Sequence, residues 1–139
     1  KEELKRADIV AVCLPGTEST RGLFGRELFQ CMKQGAVFLN VGRGNIVDTD
    51  ALADALEEGK LSGAGIDVAD PEPLPSSSRL WNCPNVIITP HVSGGFHLSV
   101  TLDRIVEISA KNMRAFLGDG EYVSLVERKT GYKKTETGE

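Results

Sequence analysis

Short apolar runs alternate with amphipathic stretches along the chain. Ile9-Val10-Ala11-Val12-Cys13-Leu14 is a continuous apolar run closed by Pro15-Gly16, and Ala36 to Val41 is a second, closed by Gly42-Arg43-Gly44. Ala64 to Val68 is a third, closed by a proline-rich stretch, and Val86 to Thr89 is a fourth, closed by Pro90. Each has the length of a strand. Because the runs do not alternate with polar residues, they predict strands covered on both faces, the habit of a parallel sheet. Helical stretches lie between them. Glu27 to Lys33 is short. Thr49 to Glu58 can be capped by Asp48 or Thr49, carries Leu52, Ala55 and Leu56 on one face, and is stopped by Gly59. A long helix is predicted from about His97 to Leu117, with Leu98, Leu102, Ile105, Met113 and Phe116 near helical spacing. Strand and helix in alternation predict an α/β domain built on a parallel sheet. The predicted division is a domain over residues 1–117 and a tail over 118–139, polar from Lys129 onward.

Composition narrows the function classes. Of the 139 residues, 40% are apolar and 26% charged, as in a globular protein. Lys and Arg number 16 against 20 Asp and Glu, a net charge of −4, so there is no basic surplus to neutralise a phosphate backbone. That argues against nucleic acid as a direct partner. No apolar run reaches membrane-spanning length, and no signal peptide opens the chain. Cys13, Cys31 and Cys83 are odd in number and lack CxxC spacing, which argues against a disulfide framework or a zinc site and fits a reducing cytoplasm. The chain opens at Lys1, not at Met, and is already in a strand-like run by Ile9, so it reads as cut from a longer protein.

Candidate chemistry gathers at one edge. In an open parallel sheet, ligands bind beyond the carboxyl ends of the strands. The residues following the four runs are Pro15, Thr17 and Thr20; Gly42-Arg43-Gly44; Asp67 and then Glu72; and His91. The glycines beside Arg43 allow a sharp turn and the close approach of a ligand. Its guanidinium matches a carboxylate bidentately. The alternative for Arg43 is a pair with a surface acid, the lesser reading on this motif. His91 leaves the fourth run behind Pro90, and an imidazole can both give and take a proton near neutrality. A lone histidine is more often structural, and Glu72 alone is a solvated loop acid. Together they predict a carboxylate that favours the imidazolium, with Asp70 as a competitor for that role. His97 reads as a helix-start residue in solvent, and Trp81 as packing under the proline-rich loop.

At these residues a family resemblance emerges. Asn40 to Asp48 (NVGRGNIVD), Asp67 to Pro75 (DVADPEPLP) and Asn85 to Gly94 (NVIITPHVSG) resemble the arginine, acid and histidine motifs of the D-isomer-specific 2-hydroxyacid dehydrogenases. Ala7-Asp8-Ile9-Val10, Leu14-Pro15 and Thr20-Arg21-Gly22-Leu23 resemble the segment upstream. Three motifs in this order and spacing, over residues 7 to 117, are a specific signal. The resemblance implies a Rossmann-like dinucleotide-binding domain and hydride transfer between NAD or NADP and C2 of a small 2-oxo or 2-hydroxy acid. Arg43 would bind the substrate, Glu72 would hold up the pKa of His91, and His91 would be the proton donor and acceptor. Leu14, Pro15, Val41, Gly42, Arg43, Asp67, His91 and Gly94 match positions around the cofactor. A cytoplasmic homodimer is implied as well.

The family's Gly-x-Gly-x-x-Gly turn, and the ribose-reading residue about 20 positions on, have no match here. Residues 1–117 therefore read as the second half of the dinucleotide domain, truncated at its amino end. Alone, the 139 residues are predicted not to bind NAD(P)H tightly and to be inactive. The alternative is a nicotinamide-sensing protein-interaction module that resembles the corepressors related to this family.

Overall fold

The computed structural model describes residues 1–95, 98–129 and 131–133. Phe96, His97 and most of the polar tail lie outside the described residues, so the solvent helix-start reading of His97 is not addressed. The chain forms two compact units, Lys1–Ser93 and Gly94–Glu139. The long helix thus groups with the tail, where the sequence reading grouped it with the sheet.

The first unit is a four-stranded parallel sheet in the order β1-β2-β3-β4, with β1 Ile9–Val12, β2 Ala36–Asn40, β3 Leu61–Ile66 and β4 Val86–Ile88. Helix α1 (Arg26–Cys31) connects the first pair of strands and α2 (Thr49–Glu57) the second. The third connection has no α-helix. It runs through the proline-rich segment and a 3-10 turn, Arg79–Asn82. The four runs are therefore the four strands, with β3 starting three residues earlier than its apolar content suggests. Leu61-Ser62-Gly63 is drawn into the sheet by pairing with β2, where Leu61 faces Ala36 before a register shift.

Asp48 caps α2, its Oδ1 accepting from Asp50 N and Ala51 N at 3.0 Å each. The helix buries Leu52, Ala55 and Leu56 as its periodicity predicts. Phe24, Phe29 of α1 and Phe38 of β2 form the aromatic centre of the core, with ring centroids 5.0 to 5.8 Å apart. Removing one such ring costs about 3–5 kcal/mol. Exposed ion pairs join α1, α2 and the 3-10 turn: Arg79 reaches Asp54 at 2.7 Å and Glu57 at 2.5 Å, while Arg26 pairs with Asp54 and with Glu58 at 3.3 Å. Such exposed pairs contribute little individually.

Burial corrects one expectation. Ala36, Phe38 and Asn40 of β2 are buried, while Val37 and Leu39 between them are only half-buried. Ile9 and Ile87, on the outer strands, are exposed. The helices of this unit cover one face of the sheet fully, not both.

The second unit contains α3, Ser99–Phe116. Asn112 fastens the segment after the helix to it, donating to Val123 O at 3.1 Å and accepting from Val123 N at 2.8 Å. None of the residues of α3 is buried, and Leu102, Ile105, Met113 and Phe116 remain exposed. Among the described residues, no helix is long and apolar enough to cross a membrane.

Candidate functional site

Parallel pairing brings the four strand ends to one rim: Val12 is in register with Asn40, Asn40 with Ile66, and Ile66 with Ile88. The chain beyond each carries a predicted site residue. Leu14 and Pro15 follow β1, Val41 to Arg43 follow β2, Asp67 follows β3 and His91 follows β4.

The first two exits are held against each other. Val41 N donates to Val12 O at 3.0 Å. A Cβ on Gly42 would lie 2.6 Å from Leu14 O, so only glycine fits there. Leu14 and Val41, one on each exit, are both exposed, at 42% and 45%. Apolar side chains left open beside polar loops suit a flat, uncharged ring such as nicotinamide, and in this respect the residues fit the implied cofactor.

Asn40, buried at the end of β2, shapes the arginine loop. Its Oδ1 accepts from Gly42 N and its Nδ2 donates to Arg43 O, both at 3.1 Å. The sequence reading placed Asn40 inside an apolar run and gave it no role. A polar residue at the last position of a buried strand was the available signal, since a buried amide needs partners. The Arg43 side chain is exposed, and its Nη1 donates to Gly42 O at 2.7 Å. Gly44 abuts the next exit loop: a Cβ on it would lie 1.9 Å from Ala69 O. The two glycines beside Arg43 therefore make room for neighbouring backbones, where the sequence reading assigned that space to a ligand.

Ala69 belongs to the acid loop, and its N–H donates to Glu72 Oε1 at 2.9 Å. The other carboxylate oxygen of Glu72 lies 3.0 Å from His91 Nδ1. The hydrogen bonds from His91 and from the Ala69 backbone hold the Glu72 carboxyl below its ordinary value, and the positive charges of His91 and Arg43 add to the effect. Glu72 is thus bonded to His91 and feels the charge of Arg43. The competitor Asp70 turns elsewhere, toward Arg21 at 3.8 Å.

Asp67, at 4% exposure, is the buried acid of the site. Its carboxylate accepts from Thr89 Oγ1 at 2.5 Å and from Val92 N and Ser93 N at 2.9 Å each. Burial alone would push its carboxyl up, but the hydrogen bonds from Ser93, Thr89 and Val92 outweigh burial and hold it well below the carboxylate range. A cavity of about 500 Å³ opens beside this group, lined by Glu72, Leu74, Trp81, Ile88, Thr89 and His91 among others. Trp81 is half exposed along that cavity, its Nε1 donating to Pro75 O at 2.9 Å.

Comparison with known proteins fits this geometry. The model of the D-isomer specific 2-hydroxyacid dehydrogenase NAD binding domain matches residues 1–93. The chain belongs to this family. A glyoxylate/hydroxypyruvate reductase B of Escherichia fergusonii is 48% identical over 94 residues, which are 68% of this chain and 29% of that protein. The solved NADPH-dependent glyoxylate/hydroxypyruvate reductase of Sinorhizobium meliloti, in complex with NADP and sulfate, is 33% identical with a TM-score of 0.78. The match covers 93% of this chain and 41% of that one. A probable 2-hydroxyacid dehydrogenase from Rhizobium etli, in complex with NADP, HEPES and L(+)-tartaric acid, is 34% identical with a TM-score of 0.78, covering 94% and 42% respectively. The chain spans less than half the length of each of these relatives. A further solved family member, from Lactobacillus delbrueckii, is in its NAD complexed form.

Within this dehydrogenase-family domain, the cofactor expectations over Leu14, Pro15, Val41, Gly42, Arg43, Asp67 and His91 fall on the strand-exit loops just described. Gly94, also expected at the cofactor, opens the second unit. Thr89, which ties the histidine loop to Asp67, was not singled out in the sequence. Its position between a strand and Pro90-His91 was the signal.

Proposed function

We propose that the protein carrying this chain transfers hydride between NAD(P)H and C2 of a small 2-oxo acid, with His91 as proton donor and, in reverse, proton acceptor. The observation that carries the reading is the 3.0 Å contact between His91 Nδ1 and Glu72 Oε2, with Glu72 itself fixed by Ala69 N. Glu72 occupies Nδ1, which leaves Nε2 to give a proton to the substrate oxygen. Bound cofactor supplies the hydride. Reduction at C2 throws negative charge onto the carbonyl oxygen, where an imidazolium and the Arg43 guanidinium both stabilise it. Arg43 binds the substrate carboxylate through its planar fork, releasing its own contact with Gly42 O. Leu14 and Val41 offer apolar surface to the nicotinamide side of the cofactor, joined by Pro15 and Gly42.

The names of the relatives favour glyoxylate or hydroxypyruvate as substrate, and their bound ligands favour NADPH over NADH. The exposed apolar stripe of α3 supports a homodimeric protein. The free cysteines Cys13, Cys31 and Cys83 support a cytoplasmic protein.

The test is turnover of glyoxylate and hydroxypyruvate with NADPH and NADH by the full-length protein and its His91→Gln variant. The variant is expected to lose about 10²- to 10⁴-fold in kcat with its fold retained. Normal turnover by folded His91→Gln protein would remove His91 from the proton transfer.

A further inference from the structure

We propose that the Thr89 hydroxyl and the Asp67 carboxylate form a clasp that aims the His91 imidazole, making Thr89 and Asp67 positioning residues for the proton transfer. The inference rests on His91 being the acid and base of the reaction proposed above.

The argument begins with the backbone. The polypeptide leaves β4 at Ile88 and turns through Thr89-Pro90-His91. His91 has φ of 55°, the left-handed region that a residue with a Cβ adopts only when its surroundings impose it. His91 N donates to Asp67 O at 2.8 Å. His91 N also reaches Thr89 O, at 3.1 Å, but most of the grip on this turn comes from Asp67. Immediately beyond His91, Val92 N and Ser93 N donate to the two oxygens of the Asp67 carboxylate, at 2.9 Å each. Two residues before it, Thr89 Oγ1 donates to Oδ1 at 2.5 Å. Pro90 has no N–H to offer. Asp67 therefore grips the loop on both sides of the histidine, by its main chain and by its carboxylate.

The hydroxyl has a particular place in this arrangement. Oδ1 takes Thr89 and Val92, while Oδ2 takes Ser93. Thr89 is one of two side-chain donors to that carboxylate, the other being Ser93 from the loop, and Thr89 comes from the strand end, the rigid part. It fixes the rotation of the carboxylate about its own axis, and the carboxylate in turn fixes the two amides that follow His91. Because Asp67 is buried, water does not readily replace a missing donor. The imidazole is then aimed by two acids: Asp67 sets the backbone from which the ring projects, and Glu72 meets Nδ1 of the ring. Small errors in the placement of a proton donor cost rate far more than affinity.

The experiment compares Thr89→Val, which keeps the shape and removes the hydroxyl, with Thr89→Ser, which keeps the hydroxyl. Full-length protein is used, with glyoxylate and NADPH as probes. Three quantities are read: kcat against both KM values, the thermal melting midpoint, and the ¹⁵N resonances of the His91 ring, assigned with His91→Gln. Thr89→Val is expected to lose about tenfold to a hundredfold in kcat while KM for NADPH changes less than about twofold. Its His91 ring resonances should move, and Thr89→Ser should recover both the rate and the resonances. Unchanged kcat and unchanged ring resonances in Thr89→Val would overturn the clasp. So would equal impairment of the two variants, or a rate loss in Thr89→Val accompanied by loss of the melting transition. If His91→Gln keeps turnover, the functional reading fails, and the ring resonances still judge the clasp separately.

Discussion

Gly44 and Ala69 meet backbone to backbone: a Cβ on Gly44 would stand 1.9 Å from the Ala69 carbonyl oxygen. The contact joins the arginine loop to the acid loop, because the N–H of the same Ala69 holds Glu72. Gly44→Ala must therefore push the two loops apart. The expected cost is about 1–3 kcal/mol from overpacking, read as a lower urea midpoint with the slope unchanged. Turnover should fall with it, since Arg43 and Glu72 are displaced together. Wild-type stability for Gly44→Ala would mean that the loops separate freely.

Glu72 and Arg43 separate by kinetics. Glu72→Gln keeps the shape of the side chain and removes the charge that faces His91 Nδ1 at 3.0 Å. It is expected to lower kcat about tenfold to a hundredfold and to leave KM for the 2-oxo acid nearly unchanged. Arg43→Lys keeps the charge and removes the fork. Its larger effect should be on KM for the 2-oxo acid, about tenfold or more. Steady-state kinetics of the full-length variants check both. The opposite pattern would exchange the two roles.

How far the sequence anticipates this site depends on what each residue is paired with. The strands are legible because buried parallel strands need apolar side chains, and each apolar run became one. The convergence of Arg43, Glu72 and His91 is legible because parallel strands must present their exits on one side. The purpose of Gly42 and Gly44 is not, because it depends on the backbones of Leu14 and Ala69, distant in sequence. Asn40 and Thr89 escape for a similar reason: each is one polar residue at the end of an apolar run, and its partners are known only once the turn beyond it is built. The half-exposed faces of β2 escape because an apolar run does not reveal which of its faces the same unit covers.

Acid should act on the clasp around His91. The Asp67 carboxyl lies well below its ordinary value of 3.8, and the Glu72 carboxyl below its ordinary 4.5. A group with a lowered folded-state pKa adds stability that is present above its unfolded value and is lost as pH falls through the folded one. Stability is therefore expected to be flat from neutrality to about pH 5 and to decline below pH 4. Asp67→Asn should be less stable at neutral pH, by about 2–3 kcal/mol for the charged hydrogen bonds lost. It should also decline less on acidification, so that the two curves converge. Urea unfolding at a series of pH values checks this. Parallel curves would show that Asp67 is not ionised in the folded protein.

The 139-residue chain by itself should bind NADPH weakly. Pyrophosphate is held where a glycine-rich turn opens a helix and free N–H groups face the anion. Gly42-Arg43-Gly44 leads instead into a 3-10 turn, Gly44–Ile46, and Gly63 and Gly65 lie within β3. The first turn of α2 carries Asp50, and its N–H groups at Asp50 and Ala51 are already taken by Asp48. An anion would meet two carboxylates there, not open donors. Leu14 and Val41, exposed on the first two strand exits, offer apolar contact suited to the nicotinamide side and nothing to the phosphates. Titration of the isolated chain followed by NADPH fluorescence should give a Kd in the millimolar range or weaker, about 4 kcal/mol of binding free energy or less. Saturation near 1 μM, about 8 kcal/mol, would mean that these residues hold the phosphates as well.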